Sequence, residues 1–202
     1  MLDKMLTSRG IDRIYEYNPS KKFLEELMIT YDLHELVEED LTELATQDKV
    51  DVYDQCMFIV LHFPKYDNLS HRYIQNEFNC ILGKNYIITL TDYQTKHIAS
   101  LKQELMEDLS EAEDDEKHKF SPYYLLYRIM DTMYDKTIRA LTAFTKDLRT
   151  IETGIFRKHN LDKVLLEQIM AKKRSAISLK HMFLPHQEII GPLQQEMLKF
   201  FG

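Results

Sequence analysis

No glycine or proline stands between Pro122 and Gly154, and apolar residues recur through that stretch at Leu126, Met130, Met133, Tyr134, Ile138, Leu141, Phe144, Leu148, Ile151 and Ile155. Steps of mostly three and four make a helical stripe sustained for over eight turns. A helix of about 30 residues is about 45 Å long, more than a compact domain is wide, so it is expected to leave the domain it starts in. After a break between Gly154 and Asn160, a second long helix is expected from about Leu161, with Leu165, Ile169, Ala176, Leu179 and Phe183 on one face. Pro185 should kink or end it, because proline lacks the N–H of the helix ladder, and Gly191-Pro192 repeats the interruption. Residues 121–202 therefore read as a helical arm.

Residues 1–120 read as an α/β domain. Ile11 to Tyr17 alternates like a short strand. Ser20 is placed to cap a helix whose inner face is Phe23, Leu24, Leu27 and Met28. A second short helix follows, with Leu33, Leu36, Val37, Leu41 and Leu44 inward. Val52 to Phe63 reads as a strand stopped by Pro64, Lys65 to Asn68 as a turn, and Arg72 to Leu82 as the next strand. Gly83-Lys84-Asn85 is a hairpin signal through residues that tolerate positive φ, and Tyr86 to Thr91 returns. Thr95 to Leu109 has the period of an amphipathic helix and runs into an acidic stretch from Glu107 to Glu116.

Composition excludes several classes. A formal net charge of −7 argues against a nucleic-acid surface, which needs an excess of Lys and Arg. Met57 to Leu61, the longest strongly apolar run, is far short of the ~20 residues a bilayer needs, so the chain is expected to be soluble. The N-terminus has no signal-peptide core. Cys56 and Cys80 lie in apolar strand-like runs and read as reduced core thiols of a cytosolic protein.

The constellations that could carry chemistry are few. His34-Glu35-Leu36-Val37-Glu38 approaches the zinc-protease H-E-x-x-H, but Glu38 replaces the second imidazole, so His34 is expected at a helix start with Glu35 facing water. Glu38-Glu39-Asp40 sets three carboxylates in a row. Consecutive helical positions diverge, so by themselves they read as a solvated face, with one or two able to meet a hard cation together with a second chain. His181 and His186, five apart across a proline, match one helical face poorly. Lys172-Lys173-Arg174 is too short for a nucleic-acid stripe. No phosphate loop, G-x-S-x-G or C-x-x-C occurs, and nothing assembles a nucleophile with a base, so an enzyme is not expected.

Several of these segments, taken in order, resemble one family. His34 to Leu41 resembles the "leucine-hydrophobic-x-E-D" helix of CorA-type magnesium transporters, which include zinc-transporting relatives. Lys49 to Leu61 resembles their "P-K-V-E…Y-x-F-I-V-L" strand, and Leu82 to Thr89 their "x-G-K-N-F-L-x-T" hairpin. Tyr123 to Asp131 is similar to "D-Y-L-L-Y-x-L-x-D", and Lys173 through Pro185 to Ile189 to "R-R…W-P-L-R-E-V". The resemblance departs in several places. Ala45-Thr46-Gln47-Asp48-Lys49 stands where the family has "H-x-R-P-K", Leu184 replaces the Trp before the proline, and Gln187 the Arg of P-L-R-E.

The resemblance implies an α/β/α sandwich with a mixed sheet followed by a long-helix extension, on the cytoplasmic face of the cell membrane. It implies a homopentamer in the full-length protein, joined to the membrane only through further C-terminal segments. It implies Mg2+ as the sensed ion, with Co2+, Ni2+ or Zn2+ as alternatives. Asp40 with Glu39 would be half of a metal site between subunits, since the family places an acidic residue at the end of the E-D helix. Two other readings stand beside it: the cytosolic domain of a zinc-transporting relative, and a stand-alone adaptor whose helical arm docks a partner helix.

Overall fold

The computed structural model describes residues 10–43, 47–91, 121–157 and 163–201. The expected helix at Thr95–Leu109 and the acidic run after it lie outside the described residues. The order of elements is β1 (Asp12–Tyr17), α1 (Lys21–Tyr31), α2 (Glu35–Thr42), β2 (Lys49–Val52), β3 (Cys56–Asp67), β4 (Arg72–Gly83), β5 (Tyr86–Thr91), α3 (Pro122–Arg157) and α4 (Lys163–Phe201).

The strands form one five-stranded sheet in the order β1-β5-β4-β3-β2. β1 runs parallel to β5 and every other pairing is antiparallel, so the sheet is mixed, as expected. Strand alternation sends Ile14, Cys56, Phe58, Val60, Ile81 and Ile88 to one face, where Leu24 and Leu27 of α1 and Val37 of α2 cover them. Met57, Ile59, Leu61, Phe63, Phe78, Cys80 and Leu82 go to the other face, under Leu125, Leu126, Ile129 and Met133 of α3 and Leu193 of α4. The result is an α/β/α sandwich. The two thiols are free and buried on opposite faces of the sheet.

Local signals explain much of this. Ser20 caps α1 by accepting from the Phe23 N–H at 3.2 Å. His34 is the N-cap of α2, its Nδ1 accepting from the Leu36 N–H at 3.2 Å while its ring stacks on Tyr53. Within α2 only Val37 is buried; Leu36, expected inward, is 47% exposed, because the short helix turns one row of side chains to the sheet. Gly83 is required for space and not for φ, which is not positive there: a Cβ on it would lie 2.2 Å from the Tyr86 ring.

Three expectations change. Val52 does not begin the long strand. It ends β2, and β3 starts at Cys56 after a tight turn closed by the Tyr53 N–H on the Cys56 carbonyl at 2.8 Å. Pro64 does not stop β3, which continues to Asp67, with the turn displaced to Asn68–His71. The last residue of β3 opposite β2 is Val60, so beyond it β3 is an edge, where a missing N–H breaks no ladder. Finally, α4 runs unbroken through Pro185 and Pro192. Each interior proline costs about 3 kcal/mol, and the burial of Met182 and Leu193, at about 1.5 to 3 kcal/mol each, offsets much of it.

Beyond Val60 and Phe78 the sheet loses β2 and β5 and, among the described residues, narrows to a two-stranded ribbon of β3 and β4. Such ribbons are marginal alone. This one is fastened to the helix pair. Tyr73 donates its hydroxyl to the Ala140 carbonyl at 3.1 Å, its N–H reaches Ser175 Oγ at 3.3 Å, and its ring packs with Phe144, Leu179 and Met182.

Candidate functional site

Both sites of interest hang on Asp48 and Lys49, where the chain enters β2. In an extended chain, successive side chains point to opposite faces. Lys49 goes toward α2 and Asp48 toward α4.

On the α2 side, Lys49 Nζ pairs with Asp40 Oδ2 and lies 3.0 Å from Asp51 Oδ2. Burial lowers the Lys49 ammonium's pKa, but hydrogen bonds to Asp40 and Asp51 outweigh it, leaving the group above its ordinary value. Asp40, in the last turn of α2, is one-quarter exposed, and Glu39 beside it is exposed. Asp40 is thus already partly neutralised from within the chain. The donors here are carboxylate oxygens, which suit a hard cation in kind. They do not suffice in number: among the described residues no group of three or more His, Cys, Asp or Glu is arranged to hold a metal.

On the α4 side lies a buried polar cluster that sequence reasoning missed. Where β2 ends, the next backbone N–H of β3 on that edge belongs to His62, and Asp48 Oδ1 accepts it at 2.9 Å in place of a ladder partner. The same oxygen lies 2.6 Å from His62 Nδ1. His186 of α4 donates Nε2–H to the His62 carbonyl at 3.0 Å, and that nitrogen is 3.1 Å from Asp48 Oδ2. His186 Nδ1 meets the Tyr134 hydroxyl of α3 at 2.8 Å. On the other side, His62 Nε2 is 3.9 Å from Glu77 Oε2, and Glu77 Oε1 accepts from Asn79 at 2.6 Å. The side chains of Asp48 and His186 are only 2% and 4% exposed.

The electrostatics follow. Burial pushes the Asp48 carboxyl up, but hydrogen bonds and charge from His186 and His62 outweigh it and hold the group below its ordinary value. Burial and the Asp48 charge push Tyr134 up to about 12. His186 Nε2 faces two acceptors and must carry the proton when the ring is neutral, so its Nδ1 then accepts from Tyr134. Tyr134 also walls an apolar groove with Tyr127, Met130, Leu193, Met197 and Phe201. A chain of carboxylate, imidazole and phenol can hold a proton and fix orientations. Its effect here is to pin α4 and α3 to the point where the sheet narrows.

Residues 15–200 match the sequence model of a family described as CorA-like Mg2+ transporter protein. The chain belongs to that family. It is 23% identical over 167 residues to the cobalt/magnesium transport protein CorA of Thermotoga maritima, covering 83% of this chain and 46% of that protein. The chain spans about half the length of the curated relatives it matches. In fold it superposes on the complete CorA magnesium transporter of Methanocaldococcus jannaschii with a TM-score of 0.74 at 14% identity, over 91% of this chain and 55% of that one. The ZntB cytoplasmic domain of Vibrio parahaemolyticus matches with a TM-score of 0.67 at 13% identity, over 94% of this chain and 71% of that domain. Identities this low carry the fold alone. Among the described residues no helix is long and apolar enough to cross a membrane.

Set against the family pattern, Asp48 occupies the place of the proline in H-x-R-P-K, and His186 that of the leucine in W-P-L-R-E-V. Both ends of the buried contact are therefore departures from the pattern. That was the one signal in the sequence that pointed to the cluster. His181, by contrast, is exposed and takes no part in it.

Proposed function

We propose that this chain is the cytosolic sensing and gating portion of a divalent-cation transporter, working as part of a homopentamer at the cytoplasmic face of a membrane. The observation that carries the reading is the family match over nearly the whole chain, on a sandwich that bears two helices of 36 and 39 residues. In this reading Asp40 and Glu39 supply oxygens to a cation at a subunit boundary, and further ligands come from a neighbouring subunit and water. Lys49 holds Asp40 in place and offsets part of its charge, so cation binding competes with an internal ammonium. Without the cation, carboxylates of adjacent subunits repel. Two unit charges about 4 Å apart interact by ~1 kcal/mol in water and ~4 kcal/mol near a protein surface. Repeated around a ring, that suffices to shift a two-state gate.

Mg2+ is favoured over Zn2+, Co2+ or Ni2+, which bind imidazole well. The end of α2 presents carboxylates, while His62 and His186 are buried and engaged by Asp48. The test is flux through the longer transporter with Asp40→Asn. Inhibition by internal Mg2+ should need higher concentrations than in the wild type. Unchanged Mg2+ inhibition would refute the role of Asp40, and Zn2+ uptake exceeding Mg2+ uptake would refute the choice of ion.

A further inference from the structure

We infer that the two-residue step Asp48-Lys49 couples the acidic end of α2 to helix α4, making Asp48 and His186 positioning residues for the helical arm. The coupling takes its purpose from the sensing role proposed for Asp40, but its existence depends only on contacts within this chain. From one side of the strand start, Lys49 is held by Asp40 and Asp51. From the other, Asp48 is held by the N–H and ring of His62 and by the closeness of His186. One peptide unit joins the two anchors. The 2.6 Å hydrogen bond from His62 Nδ1 weakens steeply when misaligned, and the 3.1 Å approach of His186 Nε2 to Oδ2 depends on the same carboxylate. Releasing Lys49 from Asp40 therefore loosens the Asp48 carboxylate, and with it the grip on His186. The two residues share one planar trans peptide unit, so a tilt of that plane displaces the origins of both side chains together.

A proline at position 48 would have no carboxylate and a leucine at 186 no side-chain N–H, so neither residue of the family pattern could make this contact.

The test is amide hydrogen exchange on the 202-residue chain with divalent metals chelated. In the otherwise wild-type chain, Asp40→Asn should speed exchange of the α4 amides from Met182 to Ile190 by about threefold or more. In His186→Leu the same amides should already exchange about tenfold faster, as loss of the buried hydrogen bond from Nε2–H to the His62 carbonyl implies. Asp40→Asn should then add nothing. His186→Gln, which keeps an N–H near the Nε2 position, should restore most of the protection and the response to Asp40→Asn. Lys49→Met repeats the release from the other partner, should Asp40→Asn disturb α2. A purely local structural role for Asp48 predicts that Asp40→Asn leaves α4 unchanged, or adds the same increment in every background. Either result overturns the coupling. Because metal is absent throughout, a failure of Mg2+ inhibition in flux assays would bear on the sensing role and leave this result standing.

Discussion

Replacing Asp48 by Asn changes one oxygen to an amide and removes one charge, at a side chain 2% exposed. The Asn oxygen can keep both contacts to His62, from the backbone N–H at 2.9 Å and Nδ1 at 2.6 Å. Each falls from a charge-assisted to a neutral hydrogen bond, a loss of about 1 kcal/mol apiece. The amide NH2 then faces His186 Nε2–H across 3.1 Å, donor against donor, for about 1 kcal/mol more. The sum is about 3 kcal/mol. For a chain of this size that lowers the melting temperature by about 6 to 12 °C. The pH dependence carries a second check. The folded pKa of Asp48 lies below its ordinary value of 3.8, so its contribution is fully present above that value and is lost as pH falls through the folded pKa. The gap between wild type and Asp48→Asn, followed by circular dichroism, should close in acid below pH 3.8. A melting temperature within about 2 °C of wild type at pH 7, or a gap that persists unchanged in acid, would refute the reasoning.

Two further outcomes follow from the same geometry. Gly83→Ala puts a Cβ 2.2 Å from Tyr86 Cε1, an overpacking worth about 1 to 3 kcal/mol. It should cost far less in a Tyr86→Leu background, so equal denaturant-midpoint shifts in both would exclude the clash as the cause. Lys49 has a folded pKa raised above 10.5, so its pairing supports the fold below that value and is lost as pH rises through the folded pKa. Wild type should show an alkaline loss of stability that is absent in Lys49→Met, and identical alkaline limbs in the two proteins would count against the Asp40–Lys49–Asp51 pairing.

Features set by neighbours in sequence were legible before the structure. Ser20 as a cap, His34 at a helix start, the Gly83 hairpin and the unbroken run after Pro122 all depend on residues within a turn or two of one another. Where tertiary context decides, sequence reasoning went astray. Pro64 reads as a stop, yet sits where β3 has no partner on that side. Pro185 and Pro192 read as breaks, yet the side chains around them are buried well enough to carry the helix through. The candidate site shows the same division. Asp40 and Glu39 stand out as a local acidic run, but the Lys49 that occupies Asp40 becomes its partner only when β2 folds beside α2. Asp48, His62 and His186 are 14 and 124 residues apart along the chain. No periodicity links such positions, and each alone reads as an ordinary polar residue. Two of them do stand out as substitutions in a family pattern, and the meaning of that pair emerges only from their meeting.

The narrowing of the sheet from five strands to two decides where this molecule can flex. A wide sheet resists bending because all its strands must deform together, while a ribbon of two resists far less. Ribbon and helices cannot slide past each other, since Tyr73 is fastened to Ala140 and Ser175. Any bend there would carry ribbon and helix ends together as one lever about 20 Å long, against the stiffness of α3 and α4, which cross the same row unbroken. Its fulcrum is the row where Leu61 faces Phe78, and Asp48, His62 and His186 meet beside it. A rotation of about 5° about that row carries the tip by about 2 Å, enough to repack a contact between helices. The buried cluster thus sits where a small change of angle is amplified most at the far tip.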